Sequence, residues 1–220
     1  EMCIRDSYGT VPATKPEDTA ANMGDRNNIT LWNSGEQLIQ QVAAINNNTI
    51  VVVHAVGPVL MEEWIEHPNV TAVLWAHLPG SESGSAVANV VYGDYNPSGR
   101  LPYTIAKERS DYPAEVMYNS DMPQPQINFT EGLLIDYRHF DANAIEPRFE
   151  FGFGLSYTQF QYAALDVEFV GDDGHNWNHK WGHRIAPDGL PAWLFETAVR
   201  VSFTVRNTGD RDGHEVPQGY

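Results

Sequence analysis

Seven carboxylates invite a catalytic reading of this chain: Glu62, Glu63, Glu82, Glu131, Asp136, Glu146 and Glu150. Two carboxylates facing each other across a sugar's anomeric carbon are the machinery of glycoside hydrolysis, about 5–5.5 Å apart for retention. Spacing along the chain selects no pair, and acidic side chains mostly sit in water. His175, His179 and His183 recur every fourth residue, which on a helix would give one metal-binding face. Their Asn, Gly and Trp neighbours argue against a helix, so solvated loop histidines are the better reading. Gly80-Ser81-Glu82-Ser83-Gly84 has the outline of a nucleophile elbow, but its middle residue is glutamate where a serine esterase needs serine. Capping of the following helix explains the motif better. His54 lies inside an apolar run and reads as a satisfied buried histidine. Phe151-Gly152-Phe153-Gly154 contains GxG without the third glycine or a following helical pattern, so it is not a dinucleotide site. It reads as a buried aromatic strand whose glycines admit close backbone approach, with Phe149, Phe151 and Phe153 on one face.

The elements that must position these residues show in the apolar periodicity. Ser34 to Gln37 has the form of a capping box before Leu38, Ile39, Val42 and Ala43, and three asparagines end that helix. Residues 49–56 and 70–76 are continuous apolar runs, expected as adjacent parallel strands buried on both faces. A short helix over 60–66 connects them. Another helix over 83–92 is expected to turn Ala86, Val87, Val90 and Val91 inward, with Gly93 closing it. Helix and strand alternating over short links indicate βαβ units. Strands are expected over 101–105, 132–137 and 148–153, and a long polar loop over 107–130. The later segments 162–170 and 197–206 alternate as β-strands, with Val199, Val201, Phe203 and Val205 on one face and a long loop at 171–195 between them.

Composition narrows the function classes. The 220 residues carry a formal charge of −16, with 42% hydrophobic residues. An acidic surface repels phosphate backbones and anionic lipids, so neither nucleic acid nor membrane is an expected partner. No apolar run approaches the roughly 20 residues of a membrane span. The single cysteine, Cys3, allows no intrachain disulfide. Asn28, Asn47, Asn69 and Asn128 each begin a glycosylation sequon, which with the acidic balance tilts toward a secreted, extracellular protein. Residues 1–7 lack periodicity and resemble translated adapter sequence, so they are read as a non-native leader. The chain as a whole is read as a fragment.

The stretches EGLLIDYRHFD (131–141) and PRFEFGFGLSYTQF (147–160) strongly resemble the fungal-type β-glucosidases of glycoside hydrolase family 3. NMGDRNNITLW, NTIVVVHAVGPVLMEEW, VTAVLWAHLPGSESGSAVANVVYGDYNPSGRLPYTIAK and VRNTGDRDGHEVPQ match the same family in the same order. The resemblance implies a three-domain enzyme in which a barrel carries the nucleophilic aspartate, followed by an α/β sandwich and a fibronectin type III-like domain. This chain then holds the C-terminal part of the sandwich over 8–160, with a mainly parallel sheet. The start of an incomplete fibronectin type III-like β-sandwich follows over 161–220. The implied substrate of the whole enzyme is a terminal β-glucoside of a cello-oligosaccharide, cleaved with retention by an exo-acting enzyme. That chemistry requires no cofactor and no metal.

The resemblance fails where the acid/base glutamate should be. Fungal members carry it in an SGEGY-like motif shortly before the segment matching Gly24-Asp25-Arg26, and here that region reads DSYGTVPATKPEDTAANMGDR. Glu17 is nearby, but its Lys-Pro-Glu-Asp setting does not match, so no catalytic role is carried onto it. Nucleophile, acid/base and barrel are all expected upstream of this chain, and the fragment alone is expected to be inactive. A β-xylosidase or another exo-acting member is the nearest variant of this reading. The rival from another class is a non-catalytic carbohydrate-binding or adhesion module.

Overall fold

The computed structural model describes residues 2–6, 28–114, 128–170 and 197–220, with the backbone alone for 2–6. Glu17, the three spaced histidines and the loop expected at 171–195 lie outside the described residues. The chain divides into two compact units, one of Glu1–Leu155 with Val216–Tyr220 and one of Ser156–Glu215.

The first unit is built on a three-stranded parallel sheet, β1 (Met2–Asp6), β2 (Thr49–Ala55) and β3 (Val70–Trp75), in that spatial order. The expectation of adjacent parallel strands is met, with Val51 opposite Val73 and Val53 opposite Trp75. β2 is the central strand, and Val51, Val52, Val53 and Ala55 are buried. β3 departs from its expected burial: Thr71 and Ala72 are exposed and no residue of the strand is fully buried. An edge strand has neighbours on one side only, so an apolar run need not mean a covered strand.

Helix α1 (Gly35–Ile45) packs Ile39 and Ala43 inward against β2. Its start corrects the expected capping box. Asn33 and Ser34 both lie in the left-handed region, and Ser34 makes no side-chain cap bond. That backbone turn replaces the cap, with Gly35 N–H donating to the Trp32 carbonyl and Leu31 N–H to the Glu36 carboxylate. Helix α2 (Ser83–Val91) ends as expected, with the Gly93 N–H donating to the Val90 carbonyl. Its apolar face is not covered, however: Ala86 and Val91 are exposed, Val87 and Val90 half-buried.

Tertiary contacts overrule four other expected elements. The helix expected over 60–66 is a single turn, closed by Ile65 N–H to the Met61 carbonyl. It inserts Met61 and Trp64 into a core shared with Leu31, Ile39, Val59, Leu101 and Ile105. The segments 101–105 and 148–153 pair, but not as strands. Leu101 donates to Phe153 and accepts from Gly152, and Ile105 donates to Phe149 and accepts from Arg148 and Phe149. Between these ties residues 150–153 form a turn, so the ladder is interrupted. No strand forms over 132–137 either, because Asp136 caps helix α3 (Tyr137–Asn143) there, accepting from the Tyr137 N–H at 2.8 Å.

The turn in 150–153 also splits the aromatic face. Phe149 and Phe153 stack at 4.8 Å between centroids and pack on the core. Phe151 points elsewhere, 5.3 Å from Tyr137 and 5.6 Å from Tyr220. All three rings are half-buried, which supports a structural role without the single strand face. Gly152, at φ +81°, makes the turn possible, and a Cβ at Gly154 would collide with the Gly99 carbonyl.

Arg148 fastens this region to the 61–65 turn. It makes a two-pronged pair with Glu62 and a further bond to Glu66, each at 2.5 Å. The guanidinium beside Glu62 holds its carboxyl below the usual carboxylate range. A depressed carboxyl stabilises the fold above its ordinary pKa, near 4.3, and that contribution is lost as pH falls through the lower folded value. Arg148→Met is therefore expected to cost about 1 kcal/mol at neutral pH and less below pH ~4. Urea melts at pH 7 and pH 3 check this; an equal cost at both would show that packing of the Arg148 stem, not charge, matters.

The second unit holds β4 (Phe160–Phe169) and β5 (Val199–Asn207), paired antiparallel as the alternation predicts. A register shift between Ala163 and Asp166 accompanies Ala164 at φ +54°. Val199, Val201 and Phe203 remain exposed, while the Tyr162–Phe203 ring contact at 5.9 Å and the Arg200–Glu168 ion pair cross the two strands. A two-stranded ribbon with a bare apolar face is marginal in isolation.

Candidate functional site

Ligands of parallel α/β sheets bind at the carboxyl ends of the strands. At that end β2 presents His54 and β3 presents Trp75, followed by His77 on the connection to α2. The Trp75 indole N–H donates to the Tyr103 hydroxyl at 2.7 Å, and that hydroxyl lies 3.2 Å from His77 Nδ1. The Tyr103 and His77 rings meet edge to face at 5.6 Å. His54 Nδ1 donates to the His77 carbonyl at 3.3 Å. His77 itself sits at φ +50°, and burial pushes its pKa below the ordinary histidine value. All four rings are half-buried. His54 is thus satisfied, as expected, but as a member of a network that the sequence reading did not find.

Tyr103 can anchor this network because its segment is fixed from the other side. Its neighbour Thr104, 1% exposed, donates from both N–H and Oγ1 to the Asp136 carboxylate at 2.9 Å. Asp136 holds φ +52°, ψ −129°, a region a residue with a Cβ seldom occupies, and its three bonds hold it there. Tyr112 adds a hydroxyl that accepts from the Ala106 N–H and donates to the Thr104 carbonyl.

Most of the remaining candidate carboxylates are engaged elsewhere or face solvent. Glu62 shares Arg148 with Glu66, and Glu146 pairs with Lys107 at 3.3 Å. Glu63 and Glu150 are exposed, and half-buried Glu131 stands in the 130–133 turn. Glu82 stands at the start of α2 without a side-chain cap bond, so its expected capping role is not realised. The only carboxylates these bonds bring together are Glu62 and Glu66, and a shared guanidinium suits them to holding structure. Among the described residues no cluster of three metal-ligating side chains occurs.

An open groove of about 550 Å³ lies between α1 and α2, lined by Leu38, Val42, Ile50, Val52, Ala88 and Val91 among others. Neither a carboxylate nor a histidine lines it. Of the four sequon asparagines, Asn28, Asn47 and Asn128 are exposed. Asn69 is half-buried and donates from Nδ2 to the Ala43 carbonyl at 2.7 Å. Among the described residues no helix is long and apolar enough to cross a membrane.

Residues 8–157 match the C-terminal domain of glycosyl hydrolase family 3. A probable beta-glucosidase L of Neosartorya fischeri is 50% identical over 199 residues, which is 90% of this chain and 25% of that protein. A beta-glucosidase of Schizophyllum commune is 62% identical over 130 residues, covering 59% of this chain and 68% of that sequence. Among solved structures, a beta-D-glucoside glucohydrolase from Trichoderma reesei is 43% identical with a TM-score of 0.74. That match covers 86% of this chain and 25% of the other. The chain therefore spans about a quarter of the length of the full-length curated relatives it matches.

Proposed function

We infer from one premise, that the chain belongs to glycosyl hydrolase family 3, that it is part of a β-glucosidase acting on terminal β-D-glucosyl residues of cello-oligosaccharides. The observation that carries this is the identity of about half to relatives named beta-glucosidase, along nine-tenths of the chain. The reaction we propose is exo-acting and retaining, with a carboxylate nucleophile forming a glycosyl-enzyme and a second carboxyl serving as acid and then base. We propose that both groups lie upstream of this chain, the nucleophile on a barrel domain. We assign the first unit to the later part of an α/β sandwich and the β4–β5 pair to the start of a fibronectin type III-like domain.

The test is to express the longer protein, with the upstream region its relatives carry, and follow cellobiose by proton NMR. Release of the β-anomer of glucose before mutarotation is expected. Binding of cello-oligosaccharide without cleavage would instead favour a carbohydrate-binding module. We also propose secretion, with N-glycans on Asn28, Asn47, Asn69 or Asn128. Protein from a eukaryotic secretory host should lose mass on peptide N-glycosidase treatment, and an unchanged mass rules the glycans out.

A further inference from the structure

His77 is held on several sides at the carboxyl end of the sheet. Its φ of +50° lies in the left-handed region, which residues bearing a Cβ adopt uncommonly and which surrounding contacts must hold. Here they do: its ring meets Tyr103, Tyr103 is held by Trp75, and the His77 carbonyl takes the His54 N–H. Tyr103 is in turn fixed through Thr104 and Asp136. What this framework supports is the corner at residues 78–82. The corner is open, with Leu78 49% exposed and nothing within 4 Å of where a Gly80 Cβ would stand. A rigid base under an open polar corner at the carboxyl ends of two parallel strands is the arrangement that binding sites on such sheets use.

We propose that the Trp75–Tyr103–His77–His54 chain is a positioning device that sets the 78–82 corner as a rim of the substrate site. The corner meets the hydroxyl groups of a β-glucoside, and His77 is the positioning residue. This rests on the β-glucosidase reading above. The corner offers what a neutral polyol needs: backbone amides, the Ser81 hydroxyl and the Glu82 carboxylate, acceptors and donors within a few residues.

The experiment compares the longer protein with its His77→Gly, His77→Asn and Tyr103→Phe variants on an aryl β-glucoside. His77→Gly relieves the backbone strain but frees the corner, and Tyr103→Phe removes the hydroxyl at the hub of the network. Each is expected to raise KM about five- to tenfold, the worth of one or two lost neutral hydrogen bonds, with a smaller change in kcat. His77→Asn tolerates the left-handed conformation and keeps a polar side chain toward Tyr103, so it should recover part of the affinity. A purely structural role would lower the melting temperature and the active fraction while leaving KM unchanged. Wild-type KM in both His77→Gly and Tyr103→Phe, in an active enzyme, overturns this inference alone. An inert parent protein overturns the functional reading and this inference with it.

Discussion

The 220-residue chain on its own is expected not to turn over a chromogenic β-glucoside, while the longer protein does. Retaining hydrolysis needs a nucleophile and a proton donor across one anomeric carbon, the donor with a raised pKa so that it still holds its proton near neutral pH. Among the described carboxylates, Glu62 runs the other way. The Arg148 guanidinium pulls the Glu62 carboxyl below its ordinary range, so it is ionised when an acid is wanted. Asp136 spends its oxygens on Thr104 and Tyr137, and no attacking lone pair is directed at an open site. General acid–base assistance alone contributes about 10²–10⁴-fold, so losing both carboxyl roles should leave turnover below detection. The assay sets the short chain beside the longer protein at equal concentration. Measurable turnover by the short chain, abolished by Glu17→Gln, would place a complete active site within these residues.

Trp64→Ala is expected to be the most damaging single substitution in the first unit, destabilising it by about 3–5 kcal/mol. Trp64 is 1% exposed and sits among Val51, Val53, Val59, Met61 and Ile105. It joins the 61–65 turn to the central strand, so truncation opens a cavity where several elements meet. Trp64→Phe is expected to cost much less, about 1 kcal/mol. Its indole Nε1 is buried without a hydrogen-bond partner among the described residues, and phenylalanine removes that unsatisfied donor along with some volume. Urea denaturation read by the remaining tryptophans measures both. Equal losses for the two variants would mean that the indole nitrogen is satisfied in solution and that Trp64 is held by a bond as well as by packing.

What the sequence alone determined was whatever its local pattern encodes. The apolar run from Ile50 to Val53 reads as a strand, and its crossover length to Val70 makes the pairing parallel. The alternation of Val199, Val201, Phe203 and Val205 likewise carries its own answer. The family, too, was readable from ordered motif blocks. One helix was legible and missed: Asp136 is a good N-cap residue, but the apolar Leu133-Leu134-Ile135 run before it led to a strand over 132–137.

Everything else was decided in three dimensions. Arg148 reaches Glu62 across 86 positions, which ties the 61–65 turn to the aromatic segment. The 101–105 and 148–153 segments carry strand-like residues, yet the turn at Gly152 leaves them joined only at their ends. The candidate site is of the same kind. Tyr103 lies 28 positions from Trp75 and 26 from His77, and neither their types nor their spacing announces a network. A side-chain hydrogen bond depends on where two backbones pass each other, and local periodicity carries no information about that. The sequence could therefore name the family and its strands, while the fold alone decided which residues work together at their ends.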